Sequence, residues 1–165
     1  DEKFRFSDIK TFNKSFWIIC ISCVIVYTGI FPFLQVASKM LQEKFNMSES
    51  TAGGLFGIPY TISACTSPFL GILIDKIGKR TIMSKYPWMF KNIIVIGSTV
   101  MLLIAHIINM FLTQCPAGEV CFIEIGPLVI IGLGYSLYAA ALWGSIPYVV
   151  ESKTVGTAFG FVTAI

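Results

Sequence analysis

Charge is absent from this chain over lengths that match a lipid bilayer. Ser15 to Ser38, Ser50 to Ile74 and Ile125 to Val150 hold no Asp, Glu, Lys or Arg over 24, 25 and 26 residues. From Asn92 the next charge is Glu119, and the apolar part closes near Met110 or Phe111. A helix needs about 20 apolar residues to cross the hydrocarbon, so each block is long enough. A fifth block opens at Thr154 and is still apolar at Ile165; its twelve residues are too few to span and read as a helix cut short. The expected layout is a polar segment over 1–14 and a transmembrane bundle over 15–165, with helices at about 15–38, 50–74, 92–111 and 125–150 and a truncated one at 154–165. Lipid offers backbone polar groups no partners, so only helices or closed barrels survive there, and the alternation of barrel strands is missing. The expected fold class is an all-α membrane protein, a partial helical bundle.

Composition narrows the function. Of the 165 residues 55% are hydrophobic and 13% charged, with a mean hydropathy of +0.78. A soluble domain carries about 25% charged residues and needs them to cover a large surface, which excludes a soluble enzyme. The net charge of +3 is spread over loops rather than gathered on one face, which argues against nucleic-acid binding. No phosphate-binding loop and no metal-ligand cluster is present, so neither an ATP-driven pump nor a metalloenzyme is indicated, and no cofactor or metal is expected. Asp1 to Lys14 is polar and lacks the apolar stretch and small-residue cleavage site of a signal peptide, so the first helix is expected to act as its own insertion signal.

Basic residues set the expected orientation. With alternating sides, ten of the twelve fall together: Lys3, Arg5, Lys10 and Lys14; Lys76, Lys79, Arg80, Lys85 and Lys91; and Lys153. Only Lys39 and Lys44 fall opposite. The basic side, with the N-terminal segment, is therefore expected in the cytoplasm. Cys115 and Cys121 lie in a loop on the other side, where an oxidising lumen permits a disulfide; two free thiols are the alternative. Asn46-Met47-Ser48 is a glycosylation sequon on that same side, close to the membrane. Cys20, Cys23 and Cys65 read as small apolar residues within helices.

The end of the second block reads Gly71-Ile72-Leu73-Ile74-Asp75-Lys76-Ile77-Gly78-Lys79-Arg80. Gly71 permits a close helix crossing. Asp75 sits at the membrane edge, where a carboxylate needs an offsetting partner, and the free N–H groups of a helix N-terminus supply one. Gly78 allows a tight turn, and Lys79 and Arg80 stay in the headgroup layer.

This pattern resembles the cytoplasmic loop signature of the major facilitator superfamily, found after the second helix of each six-helix half. The resemblance implies two pseudo-symmetric bundles around a mid-membrane substrate site, with alternating access by rocking of one half on the other. It makes Asp75 a conformational latch onto the start of the fifth helix, Lys153-Thr154-Val155-Gly156. Phe31-Pro32-Phe33, Ser67-Pro68, Gly134-Tyr135-Ser136-Leu137, Ala141-Leu142-Trp143 and Gly156-Thr157-Ala158-Phe159-Gly160-Phe161 together resemble the C-terminal half of the lysosomal dipeptide uniporter branch. That branch implies export of dipeptides from an acidic lysosomal or other endomembrane lumen, a second six-helix half in the same or another chain, and in some cases a glycosylated accessory subunit.

A transporter touches solute with polar and aromatic groups on inward helix faces. The candidate substrate-binding residues are Tyr27 and Phe31, four apart on one face; Tyr60; Tyr135 and Tyr138; and Trp143. Packing or anchoring at the membrane interface is the alternative for each. No charged residue lies in the middle of a block, so a proton-coupling carboxylate is not expected in this half. His106 reads as a packed or snorkelling neutral side chain. A Gly followed within three residues by Pro at Gly29–Pro32, Gly57–Pro59 and Gly144–Pro147 marks candidate helix breaks, and Gly53, Gly54 and Gly57 a face for close packing. A competing reading is a non-transporting structural subunit that keeps a partial facilitator fold in a larger membrane assembly; a third is the N-terminal half of a different facilitator.

Overall fold

The computed structural model describes residues 11–80, 87–116 and 119–165, with backbone alone at 74, 75, 77–80 and 87–91. Among the described residues seven α-helices follow in order: α1 (Lys14–Phe45), α2 (Glu49–Phe56), α3 (Ile58–Arg80), α4 (Pro87–Phe111), α5 (Ile125–Trp143), α6 (Ile146–Val149) and α7 (Val155–Ala164). A 3-10 turn, Ser152–Thr154, leads into α7. No strand occurs among the described residues. Four segments among the described residues are long and apolar enough to cross a membrane: Lys14–Phe45, Glu49–Leu73, Asn92–Phe111 and Ile125–Val149. The molecule is a multi-pass membrane protein.

The first helix outruns its charge-free block by seven residues. Its buried positions Leu34, Ala37, Leu41 and Phe45 keep a three-to-four spacing past Lys39, Glu43 and Lys44, so the packed stripe carries the helix on regardless of charge. At 1.5 Å per residue its 32 residues reach about 48 Å, well beyond a hydrocarbon layer of about 30 Å. Asn13 caps the start, its side chain accepting from the Phe16 N–H at 2.9 Å. Asn46 ends it in the left-handed region at φ 54°, a conformation asparagine tolerates.

Two of the three Gly–Pro pairs interrupt a helix. Gly57 separates α2 from α3, and Gly144 with Ser145 separates α5 from α6. At the second break the Ser145 hydroxyl donates to the Ala141 carbonyl at 2.6 Å, while the Ser145 N–H turns to Leu142 at 2.9 Å. A carbonyl left by the broken ladder is thereby satisfied inside lipid, as it must be. Pro32 lies within an unbroken α1.

α5 packs between α3 and α4, and half of its spanning segment is buried. Lipid tails are as apolar as leucine, so close backbone approach rather than water exclusion holds such helices together. Gly132 supplies that approach toward α3, where an added Cβ would stand 3.0 Å from the Pro59 Cα. Gly134 supplies it toward α4, 3.2 Å from the Leu102 side chain. Among the described residues a Cβ on Gly71 would meet nothing within 4 Å, and the same holds at Gly53 and Gly54. Gly78 makes no turn, because α3 runs helical through it to Arg80.

Candidate functional site

Tyr27 is where α1 meets α5. The four-residue spacing of Tyr27 and Phe31 puts both rings on one face of α1, stacked with centroids 5.0 Å apart. On α5, Tyr135 and Tyr138 are three apart and present both rings edge-on to Tyr27, at 6.0 and 6.2 Å, the geometry that aromatic quadrupoles favour. One further turn along, the Trp143 indole N–H donates to the Tyr27 hydroxyl at 3.2 Å. The Trp143 ring stacks on Phe159 of α7 at 6.0 Å. Five of the six candidate residues thus form one aromatic cluster joining α1, α5 and α7.

Their exposure divides them. Phe31 remains 49% exposed, and Tyr60 on α3 is 47% exposed. Together with Tyr135, Pro59 and Ile131 they line a cleft of about 60 Å³. Tyr60 packs edge-on to Phe56 at 5.4 Å and leaves its other face open. Tyr138 is 0% exposed, and its hydroxyl is hydrogen-bonded to Ser22 at 3.1 Å. It packs edge-on behind Tyr27 at 6.2 Å. Small-molecule pockets run to about 300–1,000 Å³, so the cleft alone is too small to be one. The α2–α3 segment beside it is only 6% buried.

The latch candidates fall differently. Backbone places Gly71, Asp75, Gly78, Lys79 and Arg80 on α3, but the side chains of Asp75, Lys79 and Arg80 lie outside the described residues. The segment expected to receive Asp75 is described: Thr154 is buried at the start of α7 and makes no side-chain capping bond.

At the opposite end of the bundle Cys115 and Cys121 are joined in a disulfide, with Cα atoms 5.9 Å apart. The loop they close is tied to α1. Cys115 N–H donates to the Lys44 carbonyl at 3.0 Å, and the Asn46 side-chain nitrogen donates to the carbonyls of Pro116 and Glu119 at 3.0 and 3.1 Å. Both hydrogens on the nitrogen that a glycan would modify are therefore engaged. Within α4, His106 lies edge-on to Phe33 at 5.0 Å.

Sequence reasoning missed Glu124. It read as the last loop residue before a charge-free block; folded, it is 0% exposed. Burial pushes its carboxyl up to about 7, against the opposing pull of Lys44 and Asn109. The available signal was its position directly against an apolar run of 26 residues.

A family model of the major facilitator superfamily matches residues 3–165. The chain is 34% identical to the lysosomal dipeptide transporter MFSD1 of Gallus gallus over 164 residues, which cover 99% of this chain and 33% of that protein. It is 34% identical to the Homo sapiens protein of that name, again over 99% of this chain and 31% of the relative. The Danio rerio relative is 33% identical, with 99% and 32% covered. The chain spans about a third of the length of the curated relatives it matches and corresponds to their C-terminal portion.

Proposed function

The chain belongs to the major facilitator superfamily, and on that premise we propose that it forms part of one six-helix half of a transporter working by alternating access. The solute is a dipeptide or another small organic molecule. One observation supports this reading above the rest: Phe31, Tyr60 and Tyr135 line an open wall, held rigid from behind by Tyr27, Tyr138 and Trp143. The cleft is too small to hold a solute by itself, whereas a second half laid over the wall encloses a larger cavity. The wall carries no charged residue, so the charged termini of a dipeptide are met by the other half, in the same or another chain. The lysosomal dipeptide transporters similar to this chain support both the solute class and an endomembrane location. The basic loops then face the cytoplasm and the disulfide end faces the lumen. A glycosylated accessory subunit is compatible with that lumenal end.

Two tests follow. Tyr60→Trp narrows the cleft without removing the ring and is expected to cut dipeptide uptake into proteoliposomes at least tenfold while the protein stays monodisperse. Wild-type uptake from a folded variant assigns Tyr60 to packing. At the cytoplasmic end we assign Asp75 to the uncapped first turn of α7, which favours an anion. Asp75→Asn is expected to alter the ratio of the two access states, read by site-directed labelling, with little change in melting temperature. Unchanged uptake together with unchanged labelling contradicts the latch.

A further inference from the structure

Four side-chain atoms at the disulfide end are buried without a hydrogen-bond partner: both carboxyl oxygens of Glu124, and the amide oxygen and nitrogen of Asn109. An unpaired buried polar atom is costly, and an unpaired buried charge more so. Glu124 stands at the start of α5 and Asn109 at the end of α4, side by side. Lys44, on α1, does not neutralise the carboxylate. Its ammonium donates instead to the Asn109 main-chain carbonyl at 2.9 Å, and no Lys44–Glu124 pair within 4.0 Å occurs among the described residues.

A carboxylate can accept from a carboxamide N–H but gives the amide oxygen no donor, whereas a carboxylic acid is complementary to both. The acid O–H donates to the amide oxygen while the amide N–H donates to the acid carbonyl. A carboxylate has only acceptors and leaves the amide oxygen facing two more. One proton from solvent, bound at a Glu124 oxygen, therefore supplies the missing donor and pairs all four atoms. We propose that Glu124 is a proton-binding site that locks α1, α4 and α5 together at the disulfide end when protonated and loosens that junction when ionised.

The other titratable groups near this end are accounted for. Lys44 comes from α1, and the Lys39–Glu43 pair is exposed on the same helix. His106, one turn before Asn109 on α4, is half-buried with Nε2 unpartnered. Glu119 in the loop and Glu49 at the start of α2 are exposed. α5 itself carries no charge.

The sign follows from the raised value. The carboxyl titrates near 7 in the folded protein against an ordinary 4.5. Below 4.5 it is protonated in both folded and unfolded states and its contribution is fully present. As pH rises from there the unfolded chain loses the proton first, so stability falls, and it levels off above about 7.

The test uses the complete polypeptide in lipid nanodiscs. The protonated-carboxyl infrared band is expected to titrate near pH 7, to vanish in Glu124→Gln, and to shift to the frequency of an unpaired acid in Asn109→Leu. The melting temperature of the wild type is expected to fall by a few degrees as pH rises through that range, while Glu124→Gln holds its low-pH value. A band lost with the ordinary carboxylates, or one that neither substitution alters, overturns the proposal. So do identical melting profiles for wild type and Glu124→Gln. If Glu124→Gln does not fold, the wild-type band and its response to Asn109→Leu decide alone. None of these outcomes bears on dipeptide uptake, so failure here leaves the transport reading standing.

Discussion

Gly132→Leu is expected to leave little folded protein, the largest loss of stability of any single substitution considered. The site has no room: an added Cβ stands 3.0 Å from the Pro59 Cα, 3.1 Å from the Ile62 Cβ and 3.1 Å from the Pro59 carbonyl oxygen. Two of those three atoms are backbone, and Pro59 is a residue whose φ is fixed by its ring, so α3 must move as a body. Overpacking a core costs about 1–3 kcal/mol where side chains can shift; here they cannot, and the contact between α3 and α5 is the one that places Tyr60 beside Tyr135. Gly71→Leu is the control, since its Cβ meets nothing within 4 Å. Fluorescence-detected size-exclusion melting of both variants in the complete polypeptide reads the difference. A Gly132→Leu protein that melts with the wild type, or a Gly71→Leu protein that loses more, contradicts the packing described.

Tyr27→Ala is expected to abolish transport from a protein that still reaches the membrane. The ring stacks on Phe31, meets Tyr135 and Tyr138 edge-on and accepts from Trp143. Its removal frees Phe31 and Trp143 together, and the wall they form loses its shape. Tyr27→Phe separates the ring from the hydroxyl. It keeps the stacking and leaves the Trp143 N–H unpartnered, a loss of about 0.6–1.7 kcal/mol for an interhelical bond in lipid. It is therefore expected to transport at several-fold reduced rate. Equal activities for the two variants assign the effect to the hydroxyl alone, and full activity for Tyr27→Ala removes Tyr27 from the site's support.

Much of the bundle is legible in the sequence because bilayer thickness imposes a length that charge-free blocks reveal. The helix ends are less so. α1 continues past Ser38 because Leu41 and Phe45 stay on its buried stripe past the charges at Lys39, Glu43 and Lys44. Helical spacing pairs Tyr27 with Phe31 and Tyr135 with Tyr138, since residues three or four apart share a face. Which helix each face meets is a tertiary fact, and so the burial of Tyr138 against Ser22 was not readable.

Small residues show the same limit. Gly71 and Gly132 look alike along the chain, yet only Gly132 touches a neighbouring backbone. Glu124 was hidden for a related reason. Its burial depends on the extended end of α1 and the last turn of α4 closing over it, and neither is local to the block it adjoins.

Alternating access is tested most directly by solute counterflow. Proteoliposomes holding the complete polypeptide are loaded with unlabelled dipeptide and diluted into a trace of the labelled compound. A carrier that exposes one wall to each side in turn is expected to accumulate label transiently above its equilibrium level, with no nucleotide present. Label that enters no faster than in unloaded vesicles carrying the same folded protein contradicts a carrier, and label that never exceeds the level of protein-free liposomes returns the chain to a structural role.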